Sequence, residues 1–119
     1  MAEILILDDV QDAVVLIQKI LTRKGHTIRT FTEEEDALTY ASKNHIDLAI
    51  LDIKLKQMSG IEVLAELKRF QPEMKVIMLT GYPTIETAQD ALSFGASEYC
   101  VKPIDKEELE KKVAEVLKE

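Results

Sequence analysis

Four apolar runs in this 119-residue chain each end in a residue that can handle phosphate or a metal ion. Ile4-Leu5-Ile6-Leu7 runs into Asp8-Asp9, Leu48-Ala49-Ile50-Leu51 into Asp52, Val76-Ile77-Met78-Leu79 into Thr80, and Tyr99-Cys100-Val101 into Lys102-Pro103. If the runs are parallel strands of one sheet, three carboxylates, a hydroxyl and an ammonium converge at one edge, where open α/β sheets keep their chemistry. Crowded carboxylates repel unless a cation joins them. A hard divalent ion such as Mg²⁺ (or Mn²⁺) meets that need with oxygen ligands. Asp52, closing the central run, is the nucleophile candidate, because a carboxylate can attack phosphorus and form an aspartyl phosphate. Thr80 and Lys102 offer a hydrogen bond and a positive charge to phosphoryl oxygens. Each residue has a plainer alternative. An Asp-Asp pair can cap a helix, Thr is a common strand residue, and Lys often ends an edge strand in solvent. Those alternatives leave unexplained why all the groups close successive runs.

The elements that would position them alternate strictly. The first strand is 4–7, and a helix over 11–24 stops at Gly25, a natural helix-ending glycine. A second strand covers 27–31. Thr32-Glu33-Glu34-Glu35 then reads as a capping box opening a helix with Ala37, Leu38 and Ala41 on its buried stripe. The third strand, 48–51, is apolar throughout, as befits a central strand covered on both faces. After a loop over 53–59, Ile61, Leu64 and Leu67 recur at helical spacing. The fourth strand is 76–79, and the fourth helix carries Ala88, Ala91 and Leu92 before closing at Gly95. The fifth strand is 98–101. Asp105-Lys106-Glu107-Glu108 is a second box-like start, to a helix with Leu109, Val113, Val116 and Leu117. Strict β-α alternation predicts a parallel sheet with right-handed crossovers and helices on both faces.

Composition bounds the function. Apolar residues make up 46% and charged residues 31%, an ordinary globular mixture of single-domain size. Fifteen basic against twenty-two acidic residues give a net charge of −7, which argues against direct nucleic-acid binding and against attraction to anionic lipid. The lone Cys100 excludes an internal disulfide and a multi-cysteine metal site, and its apolar run makes it a small buried hydrophobe. His26 and His45 lack ligand spacing and read as solvated loop residues. No signal segment or membrane-length apolar stretch is present, so a cytoplasmic location is expected.

The pattern Asp8-Asp9, Asp52, Thr80-Gly81, Gly95-Ala96-Ser97-Glu98-Tyr99, Lys102-Pro103 resembles the receiver domain of bacterial two-component response regulators. The resemblance is chemotaxis-receiver-like and covers residues 1–118. Over 79–105 it is closest to receivers of nitrogen-regulation-type activators. It implies a flavodoxin-like (βα)5 fold, a doubly wound five-stranded parallel sheet in the order 2-1-3-4-5, and a single receiver domain over 1–119 with no output domain. It implies that a histidine kinase or phosphotransfer protein donates a phosphoryl group to Asp52. Mg²⁺ is then held by Asp9, Asp52 and the backbone carbonyl of Lys54, with Asp8 acting through metal-bound water. Lys102 contacts the phosphoryl group, and the Lys102–Pro103 peptide is cis. Thr80 and Tyr99 form a switch that remodels the face of the fourth helix, fifth strand and fifth helix. The partners implied are the kinase, a downstream output domain or protein, and, through that same face, a homodimer. Lys54 and Tyr82 match positions that tune phosphoryl lifetime.

The loop Ile53-Lys54-Leu55-Lys56-Gln57-Met58-Ser59-Gly60 departs from the family, lacking its usual proline at Lys56, and Ile104 follows Pro103 where Phe is usual. In the first helix Ala13, Leu16 and Ile20 can share a core stripe. That leaves Val14 and Val15 as a candidate exposed patch for kinase docking. Two other functions compete. A degenerate receiver would bind proteins independently of phosphorylation. A flavin- or nucleotide-binding protein would need a phosphate-cradling loop after the first strand, where Asp8-Asp9 would repel a bare phosphate. Aspartate-nucleophile phosphatases carry Asp-x-Asp on one strand, whereas these acids lie on two.

Overall fold

The computed structural model describes residues 2–55 and 57–118, and the β-α alternation runs through them without a break. The strands are β1 (Glu3–Leu7), β2 (Thr27–Phe31), β3 (Leu48–Asp52), β4 (Lys75–Thr80) and β5 (Glu98–Val101). The helices are α1 (Gln11–Thr22), α2 (Glu34–Lys43), α3 (Gly60–Phe70), α4 (Ile85–Ser93) and α5 (Lys106–Lys118). All neighbouring strands pair in parallel, in the order β2-β1-β3-β4-β5. Among the described residues no helix is long and apolar enough to cross a membrane.

Side chains alternate across a strand, so each central strand feeds two cores. Leu5, Leu7, Ala49, Leu51, Val76 and Met78 face Ala37, Val63, Leu64, Leu67 and Ala91. Ile4, Ile6, Leu48, Ile50, Ile77 and Leu79 face Val14, Ile17, Leu21, Leu109, Val113 and Val116. Every residue of β3 is buried, as its unbroken apolar run requires. Cys100 is buried, and burial pushes its thiol pKa up, which keeps it protonated and inert.

The first helix takes a different phase from the one expected. Val14, Ile17, Ile20 and Leu21 are buried, while Leu16 is 46% exposed. Val14, at 1% exposure, belongs to the core and is withdrawn as a docking residue; Val15 is half-buried. Five consecutive apolar residues permit two overlapping stripes. The choice between them comes from how α1 lies against Ile4, Ile6 and α5, which spacing alone cannot express. Leu92 is likewise exposed, with only Ala91 of α4 buried.

Three of the five helix starts carry side-chain caps, while α1 (cap residue Val10) and α2 do not. Ser59 and Glu62 form a reciprocal capping box on α3, as do Thr84 and Thr87 on α4. Asp105 accepts the Glu108 N–H at 2.9 Å. The box expected at Thr32–Glu35 is absent, because α2 begins one residue later with Glu33 at its cap and no side-chain bond there. Gly25 and Gly95 end their helices at φ +89° and +100°, a backbone region that costs other residues strain.

At the far end of the sheet Gln71 ties α2 to β3. Its amide donates to the carbonyls of Ala41 and Asn44 (2.8 and 2.7 Å) and accepts the Ile46 N–H. Asp47 accepts the Glu3 N–H at 2.8 Å and pairs with His45, also at 2.8 Å. His26 is not a solvated side chain. It is partly buried, its Nδ1 accepts the Ala2 N–H at 3.2 Å, and burial lowers its pKa.

The phase of α1 is open to a direct check. Val14→Ala removes two buried carbons and should cost about 1.5–3 kcal/mol in urea unfolding. Leu16→Ala should stay within about 0.5 kcal/mol of the parent. The reverse ranking would show that α1 packs through the other stripe.

Candidate functional site

The parallel register carries the ends of β1, β3, β4 and β5 to one edge. Leu7 lies beside Leu51, Asp52 beside Leu79, and Thr80 beside Val101. Backbone bonds continue past the strands: Ile53 N–H donates to Leu79 O at 3.1 Å, and Lys102 N–H to Thr80 O at 2.8 Å. The polar residues that end the apolar runs therefore emerge from a rigid, ladder-bonded base.

At that edge Asp8 and Asp52 are buried and Asp9 is half-buried, with one carboxylate oxygen from each within 4.8 Å of the other two. Lys102 reaches across from the β5 end. Its ammonium lies 2.7 Å from Asp8 Oδ2 and 3.5 Å from Asp52 Oδ2. Burial alone would lower the Lys102 pKa, but the hydrogen bond and charge of Asp8, joined by Asp52, hold it above the ordinary lysine value. The Asp52 carboxyl is pushed up, first by burial and then by the like charge of Asp8, against the pull of Lys102. One ammonium among three carboxylates leaves the edge short of positive charge. The donor set, hard oxygens on separate flexible carboxylates, fits a small divalent cation.

Two peptide groups shape the Asp52 end. Lys54 N–H points to Asp52 Oδ1 at 3.4 Å. Gly60 N–H donates to Ile53 O at 2.7 Å, bringing α3 against the β3 terminus so tightly that a Cβ at position 60 would fall 2.1 Å from Asp52 O. Gly60 is thus required by backbone approach. Sequence reasoning passed over it; a glycine between a Ser cap and an apolar helical stripe was the available signal.

Thr80 is 1% exposed, and its Oγ1 accepts the Tyr82 N–H at 3.0 Å. Tyr99 is half-buried, its hydroxyl bonded to Thr87 Oγ1 on α4 at 2.8 Å rather than left in solvent. The Lys102–Pro103 peptide is cis. Lys54 places its ammonium 4.4 Å from the centre of the Tyr82 ring, forming a lip beside the acidic edge. Between the β3–α3 and β4–α4 loops lies a cleft of about 460 Å³ lined by Leu55, Met58, Glu62, Thr80 and Thr87 among others. The larger hollow, about 660 Å³, is at the opposite end of the sheet, where His45 and Asp47 are engaged with each other. Of the loop that departs from the family, Lys56 lies outside the described residues.

Relief of charge crowding should be visible as stability. Asp52→Asn removes one of three mutually repelling, desolvated carboxylates and leaves the Asp8–Lys102 pair intact. In metal-free buffer at pH 7 its melting temperature should exceed the parent's by a few degrees. An equal or lower value in a calorimetric scan would show that Lys102 already neutralises the edge.

Comparison with known proteins agrees with this geometry. Residues 4–114 match the response regulator receiver domain family. The transcriptional regulatory protein ZraR of Klebsiella oxytoca is 33% identical over 115 residues, covering 97% of this chain and 26% of that protein. The chain thus spans about a quarter of the length of that relative. A CheY-like response regulator receiver domain protein from Methanospirillum hungatei superposes with a TM-score of 0.96 at 32% identity, covering 99% of this chain and 94% of the other. A response regulator from Burkholderia pseudomallei, solved with a phosphorylated aspartic acid, a calcium ion and citrate, gives 0.86 at 28% identity, with 99% and 75% covered. With strand order, acidic edge and sequence match in agreement, the chain belongs to the response regulator receiver domain family.

Proposed function

We propose that this chain is a phosphoacceptor in a two-component phosphorelay, taking a phosphoryl group from a histidine kinase or phosphotransfer protein onto Asp52. The observation that carries this reading is the triad of carboxylates within 4.8 Å, bridged by Lys102. The phosphorylated aspartic acid and calcium ion in the Burkholderia pseudomallei relative support it.

In the reaction an Asp52 carboxylate oxygen bonds to phosphorus while the phosphorus–nitrogen bond of the donor's phosphohistidine breaks, and the imidazole leaves with the electron pair. Asp8, Asp9, Asp52 and the Lys54 backbone carbonyl would hold Mg²⁺ or Mn²⁺, which when bound supplies positive charge to the transferring oxygens. Lys102 is already between Asp8 and Asp52 and turns to a phosphoryl oxygen. Thr80 offers its hydroxyl to another. The chain transforms no separate substrate; it catalyses its own phosphorylation and dephosphorylation.

The output is a change of surface. Drawing Thr80 toward the phosphoryl group loosens its bond to the Tyr82 N–H and opens space for Tyr99, which must then leave Thr87. A local charge thereby biases two arrangements of the α4–β5–α5 face. That face carries exposed Ile85, Leu92, Phe94 and Val101, suited to an output domain, an output protein or a second copy. Such a relay partner fits a cytoplasmic location. The intact acidic edge weighs against a degenerate, phosphorylation-independent binding module.

Acetyl phosphate with Mg²⁺ should add one phosphoryl group, located at Asp52 by mass spectrometry. Asp52→Asn or a chelator should abolish the addition; labelling that survives both would remove Asp52 as acceptor.

Phosphoryl lifetime tests the lip. The Lys54–Tyr82 contact screens the Asp52 side of the edge from water, so Lys54→Ala and Tyr82→Ala should each hydrolyse the aspartyl phosphate a few-fold faster. Unchanged dephosphorylation rates would assign both side chains to solvent.

A further inference from the structure

Glu34 is the first residue of α2, where an acidic side chain ordinarily stays in water and interacts with the helix dipole. Glu35 and Asp36, in the same turn, are exposed. Glu34 is instead turned inward and is 3% exposed. Its Oε2 accepts the Gln57 N–H at 2.6 Å and the Met58 N–H at 3.0 Å, both in the loop between Asp52 and α3. Burying a carboxylate is costly unless hydrogen bonds satisfy it, and bonds from N–H groups to an ionised acceptor are among the strong ones. Here one oxygen gathers two successive amides across 23 and 24 residues of sequence.

The placement of those amides gives the bond its consequence. The loop 53–59 contains no proline to stiffen it. Its two ends are tied locally, by Gly60 N–H to Ile53 O and by Ser59 N–H to Glu62 Oε1 at 3.2 Å. Glu34 grips Gln57 and Met58, between those ties, from the neighbouring helix α2. The same loop carries Lys54, whose N–H faces Asp52 Oδ1.

We infer that Glu34 is a positioning residue for the acidic edge: through Gln57 and Met58 it holds the β3–α3 loop in the shape that presents the Lys54 backbone to a divalent cation. It is not a ligand and acts only through the loop. The inference rests on the proposed Mg²⁺ site and adds a residue from α2 to its support.

The test compares wild type, Glu34→Asp and Glu34→Ala. Aspartate keeps the charge and the helix start but shortens the reach by one methylene, so it carries the test even if the alanine variant fails to fold. Amide hydrogen exchange at Gln57 and Met58 should quicken by about tenfold in Glu34→Asp. Mg²⁺ affinity, measured by calorimetry, should weaken by about tenfold, the usual scale for support groups behind a metal ligand. Labelling by acetyl phosphate at saturating Mg²⁺ should stay at the wild-type rate. Unchanged exchange overturns the inference, as does quickened exchange with Mg²⁺ affinity within about twofold of wild type, or a labelling defect that persists at saturating Mg²⁺. Failure of wild type itself to bind Mg²⁺ would instead overturn the metal site.

Discussion

Asp8, Asp9 and Asp52 crowd three carboxylate oxygens within 4.8 Å, and Lys102 bridges two of the three side chains. Taking one partner away from a buried ion pair typically costs about 3–5 kcal/mol, because the remaining charge is left desolvated. With its partly exposed ammonium in place, the edge still holds one positive charge against three carboxylates. That imbalance is what the proposed divalent cation would relieve, and such a cation together with Lys102 would meet the charge of a transferring phosphoryl group. The raised Asp52 pKa expresses the same fact from the protein's side, with burial and the charge of Asp8 disfavouring the ionised form.

A parallel sheet suits such a site because its ladder is indifferent to what lies beyond its end. β1, β3 and β4 are buried up to their last residue and β5 is ladder-bonded to β4 through Val101, so the polar groups are fixed in relative position without help from one another. What the sheet cannot control is the loop after Asp52. Three contacts from outside the strand take that role: Gly60 by close backbone approach, Ser59 with Glu62 by capping, and Glu34 by reaching over from α2. The Thr80–Tyr82 and Thr87–Tyr99 bonds are of another kind. Each is a single hydrogen bond worth about 1 kcal/mol net, small enough for the proposed phosphoryl charge to exchange.

The strands, their direction and the acidic edge were legible because they depend on local pattern. Apolar runs of strand length separated by helical stripes point to a parallel sheet, and the polar residues at their ends are then carried to a common edge whatever the strand order. β2 and β5 fall within the expected bounds, and the glycines at 25 and 95 end their helices with the positive φ that suits that residue. The strand order came from family resemblance rather than from periodicity, since β-α alternation alone permits more than one winding.

Where several local solutions were equivalent, only the tertiary structure chose. The apolar stretch Ala13–Ile17 fits two helical phases, and contact with β1, β2 and α5 selected Val14 and Ile17 over Leu16. Glu34 fits a helix-start role as well as any neighbouring acid, and it was drawn inward because two unpaired amides of a distant loop came within reach. Tyr99 could pack in several ways until α4 placed Thr87 beside its hydroxyl. By itself, then, the sequence determined which residues end the strands and what chemistry they can do, because side-chain type and alternation are local properties. Helix phase, loop support and the resting place of Tyr99 belong to the tertiary structure, because each depends on a partner outside its own element.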